Sequence, residues 1–298
     1  MPKNIFAHLA IITANVFYAA NYTVAKWVMP KYIKPFGFIF IRVAGAVLFF
    51  WLISIFIKED KLETKDFIRL FFCGIFGVAI NQLFFFKGLD LTTPVNASLM
   101  MITTPIMVVV IAILAKKEMF TWLKTFGILL GATGAFLLLL GKEFSFNSST
   151  SLGNFFVFIN AVSYSIYLTI VKPLMNKYKP IQIVKWVFLF GFIPVFFVSF
   201  PEFKAIEWHT FETNTWLSLF FVVFAVTCLA YLFNIYALSI VNPSVVGIYI
   251  YLQPLLATFF AILMKADTLN WIKISAAALI CLGVYFVSFH KNKKLINA

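Results

Sequence analysis

The polar side chains that could bind a small molecule are embedded in long apolar stretches of this sequence. One set follows helical spacing and would form a stripe down a single helix: Asn15, Tyr18, Tyr22 and Lys26. Polar groups inside such helices mark substrate pathways or hydrogen-bond one helix to another. The stripe offers amide, phenol and ammonium groups, so it indicates reversible binding of a polar ligand, with interhelical bonding as the alternative.

Polar residues of other apolar stretches extend this candidate site. The additional candidates for substrate binding are Arg42, Asn81, Gln82, Thr103, Tyr164, Tyr167, Asn234, Tyr249 and Gln253. Arg42 lies seven residues after Pro35, so its guanidinium either reaches outward to a membrane surface or points inward. If Arg42 and Lys26 both point inward, we expect them to pair with a carboxylate or phosphate of the substrate.

Two prolines, Pro105 and Pro254, lie near the middle of apolar stretches at matched positions. Each lacks a backbone N–H and leaves the carbonyl four residues earlier, at Met101 and Ile250, without its helical partner. The freed carbonyls need partners in protein or in a water-filled cavity. We therefore expect kinked helices at both prolines, with gating and substrate contact at the kinks.

The acidic residues lie in loops or at the ends of apolar stretches, never deep inside them. A buried carboxylate is the usual relay of proton-driven and sodium-driven pumps, so this pattern favours facilitated diffusion or exchange. Glu118 and Asp267 stand at turns beside lysines, which favours structural capping. The three histidines are scattered, the three cysteines lack metal-type spacing, and no nucleotide-binding loop occurs. We predict no catalytic residue, no metal and no cofactor.

The composition is that of a membrane protein. Of the 298 residues, 62% are hydrophobic and 12% charged, whereas soluble chains average roughly half apolar and about a quarter charged. The net charge of +13 comes from short Lys and Arg clusters between apolar runs, which set membrane orientation and argue against nucleic-acid binding. The expected partners are the lipid bilayer and a small-molecule substrate, in a monomer or a homodimer.

Ten apolar stretches are long enough to cross a bilayer, for which a helix needs about 20 residues. The predicted spans are residues 5–27, 36–57, 67–87, 94–115, 120–141, 152–173, 181–200, 215–240, 243–264 and 270–290. The sequence therefore predicts an all-α membrane protein with ten transmembrane helices.

An internal repeat organises these helices. The segment Pro94–Gly134 matches Pro243–Gly283 at a constant separation of 149 residues, including two prolines, an acid, a tryptophan and a lysine. The motif Lys-x-x-Met-x-Lys-Tyr begins at Lys26 and again at Lys172, at a separation of 146 residues. Residues 1–146 and 147–298 are thus predicted to be two five-helix repeats. Because five is odd, the second must enter the membrane from the opposite side, which makes the repeats inverted.

The distribution of Lys and Arg predicts the orientation. With the N-terminus in the cytoplasm, the segments on that side contain 15 of these residues and the segments on the other side 8. Cytoplasmic connections of membrane proteins carry the excess of positive charge. We expect both termini in the cytoplasm, a polar outer linker at Lys142–Ser151, a second polar loop at Pro201–Thr215, and the inner or plasma membrane as location.

With these features the chain resembles the EamA-type branch of the drug/metabolite transporter superfamily. The resemblance rests on Lys26, Arg42, Pro94, Pro105, Glu118, Gly134 and most of their second-half equivalents. It covers nearly the whole chain, although no arginine stands opposite Arg42 and Asp267 replaces the usual glutamate. The resemblance implies a ten-helix fold and small-molecule transport, for substrates that range from amino acids and nucleosides to sugars, cations and drugs.

The expected function is export of an amphipathic metabolite, an amino acid or a drug, by alternating access between the two repeats. One alternative is a lipid-modifying membrane enzyme, which would need a clustered acid/His or Ser/His constellation. Another is a channel or scaffold in which the polar residues only join helices. Saturable flux of a substrate separates transport from both alternatives.

Overall fold

The computed structural model describes residues 2–29, 31–139, 148–263 and 270–288. Its regular elements are helices, with no strand among the described residues. The ten membrane helices are α1 (Pro2–Val28), α2 (Pro35–Ser54), α3 (Thr64–Leu91), α4 (Pro94–Met101 and Thr103–Leu114), α5 (Trp122–Leu139), α6 (Ser148–Val171), α7 (Pro180–Lys204), α8 (Thr213–Ile240), α9 (Pro243–Ile248 and Leu252–Leu263) and α10 (Trp271–Ser288). Short 3₁₀ helices occupy Lys172–Asn176, Trp208–Thr210 and Tyr249–Tyr251.

The ten helices coincide with the ten predicted spans, which confirms the predicted fold class. Eight of them are long and apolar enough to cross a membrane, and α5 and α9 supply two shorter apolar helices within the described residues. Side chains at the periphery of the bundle are large and apolar, as a lipid-facing surface requires. Phe197 is 75% exposed, and Trp122 and Trp271, which begin α5 and α10, are 81% and 82% exposed.

Two boundaries differ from the prediction. The polar loop at Pro201–Thr215 is shorter, because α7 continues to Lys204 before the chain turns. The Glu202 carboxylate accepts the backbone N–H groups of Phe36 and Gly37 at 2.8 and 3.1 Å, so it caps the start of α2 and fixes this last turn. In the predicted linker Lys142–Ser151, the residues from 148 onward are already helical, and residues 142–147 lie outside the described residues.

Side-chain contacts between the connections show which of them lie at the same end of the bundle. At the first end, Lys177 binds Asp66 across the α6–α7 and α2–α3 connections, and Glu118 binds Ser244 across α4–α5 and α8–α9. We call this the α2–α3 end. At the opposite end, here the α1–α2 end, Tyr32 contacts Glu212 across the α1–α2 and α7–α8 connections.

Glu118 has the structural role predicted for it. Its Oε1 accepts the backbone N–H of Ser244 at 3.0 Å, at the start of α9. Its Oε2 accepts the Ser244 hydroxyl and the Lys124 ammonium, both at 2.6 Å. A carboxylate at a helix N-terminus satisfies free N–H groups and the helix dipole. The matching Asp267 lies outside the described residues.

Helices that occupy the same place in the two repeats pack against each other. These pairs are α2 with α7 and α5 with α10. On α5 and α10 the backbones nearly touch: a Cβ on Gly127 would lie 3.0 Å from the carbonyl oxygen of Gly283, and one on Gly134 would lie 2.7 Å from that of Ala276. The contacts move backward along α10 as they advance along α5, so these two helices run antiparallel.

Candidate functional site

A cavity lies in the core of the bundle, between helices of both halves. It encloses about 690 Å³ of space without protein atoms, a volume that includes its opening to solvent. Its wall is built by α1, α2, α3 and α4 from the first half and by α6, α8 and α9 from the second. Nine predicted substrate-binding residues line it: Asn15, Tyr18, Tyr22, Arg42, Asn81, Gln82, Tyr164, Asn234 and Gln253.

The stripe on α1 both faces the cavity and joins the two halves. The Gln253 side-chain amide donates to Asn15 Oδ1 at 3.0 Å, which ties α9 to α1. The Asn234 amide donates to the Tyr18 hydroxyl at 2.9 Å, which ties α8 to α1. The two interpretations of the stripe are therefore compatible, because the same groups line the space and hold its wall together.

Lys26 continues the stripe in sequence but lies outside the cavity lining. Its ammonium donates to the carbonyl oxygens of Leu89 at 2.9 Å, Asp90 at 3.4 Å and Thr92 at 3.3 Å. These carbonyls belong to the last turn of α3, where a helix favours a positive charge. The expected pairing of Lys26 with a substrate anion is thus corrected to capping of a helix C-terminus.

Lys172, which matches Lys26 in the second repeat, has the same role. Its ammonium donates to the carbonyl oxygens of Leu238 and Val241, the second at 2.7 Å, at the end of α8. The Lys-x-x-Met-x-Lys-Tyr motif therefore begins, in both halves, with a lysine that closes the C-terminus of the third helix of that half.

Three more predicted residues also lie outside the cavity lining. Thr103 donates its hydroxyl to the backbone carbonyl three residues earlier at 2.6 Å, within the break of α4. Tyr167 packs its ring over Gly77, where a Cβ would come within 2.4 Å of that ring. Tyr249 shares a hydrogen bond of 2.7 Å with the His8 ring through its hydroxyl. Tyr167 and Tyr249 thus join helices outside the cavity wall, and Thr103 bonds only within α4.

Arg42 is buried in the cavity wall, with 3% of its surface exposed, so its guanidinium does not reach the membrane surface. Its Nε donates to the Thr227 hydroxyl at 3.0 Å, across the two halves. The Phe86 ring covers the guanidinium at 4.5 Å, as arginine and aromatic faces favour. Its Nη1 is buried without a hydrogen-bond partner among the described residues.

Two π-helical segments border the cavity at matched positions. Ile75–Ile80 lies in α3 and Val222–Leu229 in α8, and a shift of 149 residues places the first within the second, so that both end at matched positions. Such bulges leave carbonyls without regular partners and are frequent at functional sites. Ser163 donates to the carbonyl of Phe76 at 2.6 Å, and Tyr231 to that of Gly77 at 2.9 Å.

The regular helix is interrupted just before both prolines at which we predicted kinks. In α4 the regular helix stops at Ile102, and in α9 a 3₁₀ turn at Tyr249–Tyr251 interrupts it, in each case just before the proline. Met101 and Ile250, whose carbonyls the prolines free, both line the cavity. Pro254 borders a small side pocket next to the cavity, and Pro105 is buried within α4.

Eight lining residues lay outside our candidate set: Asn21, Phe85, Phe86, Met101, Asn160, Tyr231, Val246 and Ile250. The repeat carried a signal for several of them. Tyr231 stands 149 residues after Gln82, and their side chains meet at 3.4 Å. At the separation of 149 residues Tyr231 matches Gln82 and Phe85 matches Asn234, so the repeat indicates both residues.

Comparisons with known proteins agree with this architecture. The sequence pattern of the EamA-like transporter family matches residues 5–140 and again residues 151–289. An uncharacterized transporter of Archaeoglobus fulgidus is 25% identical over 91% of this chain and 94% of its own length. The uncharacterized transporter YyaM of Bacillus subtilis is 21% identical over 96% and 94%.

A plant relative and a solved structure cover similar lengths. Protein WALLS ARE THIN 1 of Arabidopsis thaliana is 23% identical over 99% of this chain and 85% of its own. One crystal structure superposes with a TM-score of 0.73 at 18% identity, covering 94% of this chain and 95% of that one. At that identity the likeness shows the fold alone.

Proposed function

The chain belongs to the EamA-like transporter family and is a multi-pass membrane transporter, and we propose that it exports a small amphipathic metabolite by alternating access. The substrate would occupy the cavity between the halves, exposed first to one side of the membrane and then to the other. Transport without covalent chemistry is the activity that we propose.

The observation that carries this proposal is that matched positions of the two repeats line one cavity. Tyr18 and Tyr164 are separated by the 146-residue interval of the first helices, and Gln82 and Tyr231 by the 149-residue interval. When the two repeats exchange conformations, such a cavity offers residues at matched positions to the opposite side. Polar sites of transporters with internal repeats lie where the repeats meet.

The antiparallel packing of α5 on α10 supports inverted repeats. Two equivalent helices that cross antiparallel are related by an axis perpendicular to both, which is an axis in the membrane plane when the helices span it. The breaks in α4 and α9 and the π segments of α3 and α8 are the places where helices can bend. We propose that gating motions are centred on Pro105 and Pro254.

We propose that the α2–α3 end and both chain termini face the cytoplasm, in an inner or plasma membrane, because that side carries more Lys and Arg. Single cysteines at Ser148 and Asn292 test this topology, after the exposed Cys281 is replaced by serine. An impermeant thiol reagent is expected to label the two sites from opposite sides of the membrane. Labelling from the same side overturns the inverted arrangement.

We further propose that no carboxylate relay drives the cycle, because no Asp or Glu belongs to the described cavity lining. Neutralising Asp90, Glu118 or Asp267 singly is expected to lower expression or stability without uncoupling transport. Proton-driven accumulation that any one of these substitutions abolishes would contradict the proposal.

Flux into liposomes tests the site itself. Tyr18→Phe, Tyr22→Phe and Gln253→Leu each remove one buried hydrogen-bonding group, worth roughly 5- to 150-fold in affinity or flux. We expect each variant to fold and insert but to transport a labelled metabolite panel more slowly. Phe197→Leu, on the lipid-facing surface, is the matched control and is expected to transport like the parent. Parental flux in all three cavity variants contradicts the assignment.

A further inference from the structure

The groups that face the cavity define the chemistry of its ligand. We propose that the transported molecule is a monoanionic organic acid that carries a hydrogen-bond donor beside its carboxylate. This inference rests on the proposed function, since it names the substrate class of the same site.

The described cavity wall carries a positive charge. Arg42 is the only Lys, Arg, Asp or Glu in the described lining, and an arginine stays protonated in proteins. Its Nε is taken by Thr227, whereas Nη1 has no hydrogen-bond partner among the described residues. A buried charge requires a counter-charge or a full set of hydrogen bonds. A ligand anion at Nη1 supplies what the described wall does not.

The charge of the cavity lining limits the number of charges on the ligand. The described lining contributes a single positive charge, so a monoanion neutralises it and a dianion leaves an excess negative charge in a buried space. A carboxylate also matches the planar guanidinium in shape. A carboxylate is therefore favoured over a phosphate monoester, and an organic cation is disfavoured by repulsion from Arg42.

Hydrogen-bond acceptors in the cavity lining indicate what the ligand must donate. Three side-chain carbonyl oxygens of the lining are buried without a hydrogen-bond partner among the described residues: Asn21 Oδ1, Gln82 Oε1 and Asn160 Oδ1. The amide nitrogens of two of them are already used, by Asn160 on the Asn81 carbonyl at 2.7 Å and by Gln82 on the Tyr231 hydroxyl at 3.4 Å. What these groups offer a ligand is acceptors, so the ligand needs an N–H or O–H donor.

Apart from Arg42 and the side-chain amides, the wall is apolar or aromatic, which suits the body of the ligand. Tyr22 and Phe85 meet edge to face at 5.6 Å, and Met101, Val246 and Ile250 complete this surface. Apolar walls with a few placed polar groups are the usual form of small-molecule sites. The ligand is thus an amphipathic acid with its polar groups at one end.

Matched ligands on one body test the inference with the purified protein in lipid nanodiscs. The series is 3-phenyllactate, 3-phenylpropionate, 3-phenylpropionamide, 3-phenylpropylamine and 2-phenylethyl phosphate, each measured by calorimetry. A second series carries an isobutyl group in place of the benzyl group. We expect the two acids to bind, the hydroxy acid about tenfold more tightly than the plain acid. The amide, the amine and the phosphate are expected to bind at least tenfold more weakly than the plain acid.

Variants connect each result to its residue. Arg42→Gln is expected to weaken binding of both acids by tenfold or more, and Arg42→Lys by less. Thr227→Val removes the Nε acceptor but keeps the charge, so it should weaken acid binding by much less than Arg42→Gln does. Asn21→Leu, Gln82→Met and Asn160→Leu should weaken binding of the hydroxy acid more than binding of the plain acid, and at least one should lose the preference for the hydroxy acid.

Several outcomes overturn the inference. They are binding of the amine, the amide or the phosphate as tight as that of the acids, binding of no acid in either series, or acid binding unchanged in Arg42→Gln. A hydroxy-acid preference kept in all three amide variants overturns the donor subsite. Flux of a cation with no acid binding leaves the transporter standing and removes the substrate class. Acid binding without flux of any compound leaves the ligand class standing and contradicts the proposed transport.

Discussion

The two ends of the bundle contain the same cluster in two different forms. Lys177 and Tyr178 at the α2–α3 end match Lys31 and Tyr32 at the α1–α2 end, at the 146-residue separation. The acid of each cluster comes from the other repeat, and Asp66 and Glu212 are also 146 residues apart. Each cluster thus joins the first connection of one half to the second connection of the other.

At the α2–α3 end the Asp66 carboxylate is buried and has three partners. Lys177 donates from Nζ at 2.8 Å, Tyr178 donates from its hydroxyl at 3.0 Å, and Arg69 lies 3.9 Å away. The Tyr178 hydroxyl also accepts the backbone N–H of Glu63 at 3.2 Å. Every member of this cluster therefore holds another in place.

At the α1–α2 end Lys31 and Glu212 are exposed, Tyr32 is half-buried, and the groups are less tightly joined. The Lys31 ammonium donates to the Tyr32 hydroxyl at 2.8 Å, and that hydroxyl reaches Glu212 at 3.4 Å. The residue types are almost the same at both ends, so burial and distance make the difference. One end of the bundle is thus tightly joined and the other end is loosely joined, as the proposed alternating access requires.

The largest effect is expected from Glu118→Ala at the α2–α3 end. The substitution leaves the buried Lys124 ammonium without its partner and the start of α9 without its cap. Loss of one partner of a buried pair costs about 3–5 kcal/mol. The melting temperature in detergent should fall markedly, and the double variant Glu118→Leu/Lys124→Met should recover much of the loss. A melting temperature of Glu118→Ala like that of the parent contradicts the interpretation that the α2–α3 end is tightly joined.

The second prediction compares Asp66→Asn with Glu212→Gln, two matched neutralisations. Asp66→Asn weakens charge-assisted hydrogen bonds in a buried cluster, which we expect to cost about 1–3 kcal/mol. Glu212→Gln changes an exposed contact, worth about 1 kcal/mol or less. Thermal unfolding of both variants measures the difference. Equal losses at the two ends would refute the comparison.

A smaller difference is expected for the matched tyrosines. Tyr178→Phe removes one hydroxyl that both donates and accepts, at a cost of about 1 kcal/mol. Tyr32→Phe removes an exposed hydroxyl and should leave the unfolding transition almost unchanged. If Tyr32→Phe proves the more harmful variant, the α1–α2 end is the tighter one.

The smallest effect is a pH dependence centred on Glu63. Hydrogen bonds from Lys65 and Lys177 hold the pKa of the Glu63 carboxyl below its ordinary value of 4.5. A lowered pKa stabilises the fold above the ordinary value, and this contribution disappears as the pH falls through the lowered pKa. The melting temperature of Glu63→Gln should lie slightly below that of the parent at pH 7 and converge with it in acid. A constant difference at every pH contradicts the assignment.

The sequence predicts the helices and much of the cavity, for physical reasons. Membrane helices satisfy their own backbone and need an apolar length, so the ten spans follow from composition alone. The stripe of Asn15, Tyr18 and Tyr22 faces the cavity because helical spacing fixes which side chains share a face. Tyr18 and Tyr164 also follow from the repeat.

The residues that were misplaced depend on where other helices end. Lys26 has the spacing of a cavity residue, but the free carbonyls of α3 lie at the same level and attract its ammonium. Arg42 was ambiguous because a sequence does not show whether a long side chain reaches inward, and Thr227 on α8 settles its direction. Such contacts arise between helices, so spacing along one helix cannot reveal them.

The glycine contacts between α5 and α10 also bear on how a chain of this design could have been assembled. The α10 residues that pack on the glycines of α5 include Ala276, Ile280 and Gly283. The residues 149 positions earlier are Gly127, Gly131 and Gly134 of α5. The surface of α5 that packs on α10 is therefore also the surface that corresponds to its partner. Two glycines four residues apart are a known dimerisation face for membrane helices. A five-helix chain ending in α5 therefore carries a self-complementary face, the kind that closes a two-fold homodimer before any duplication joins the copies.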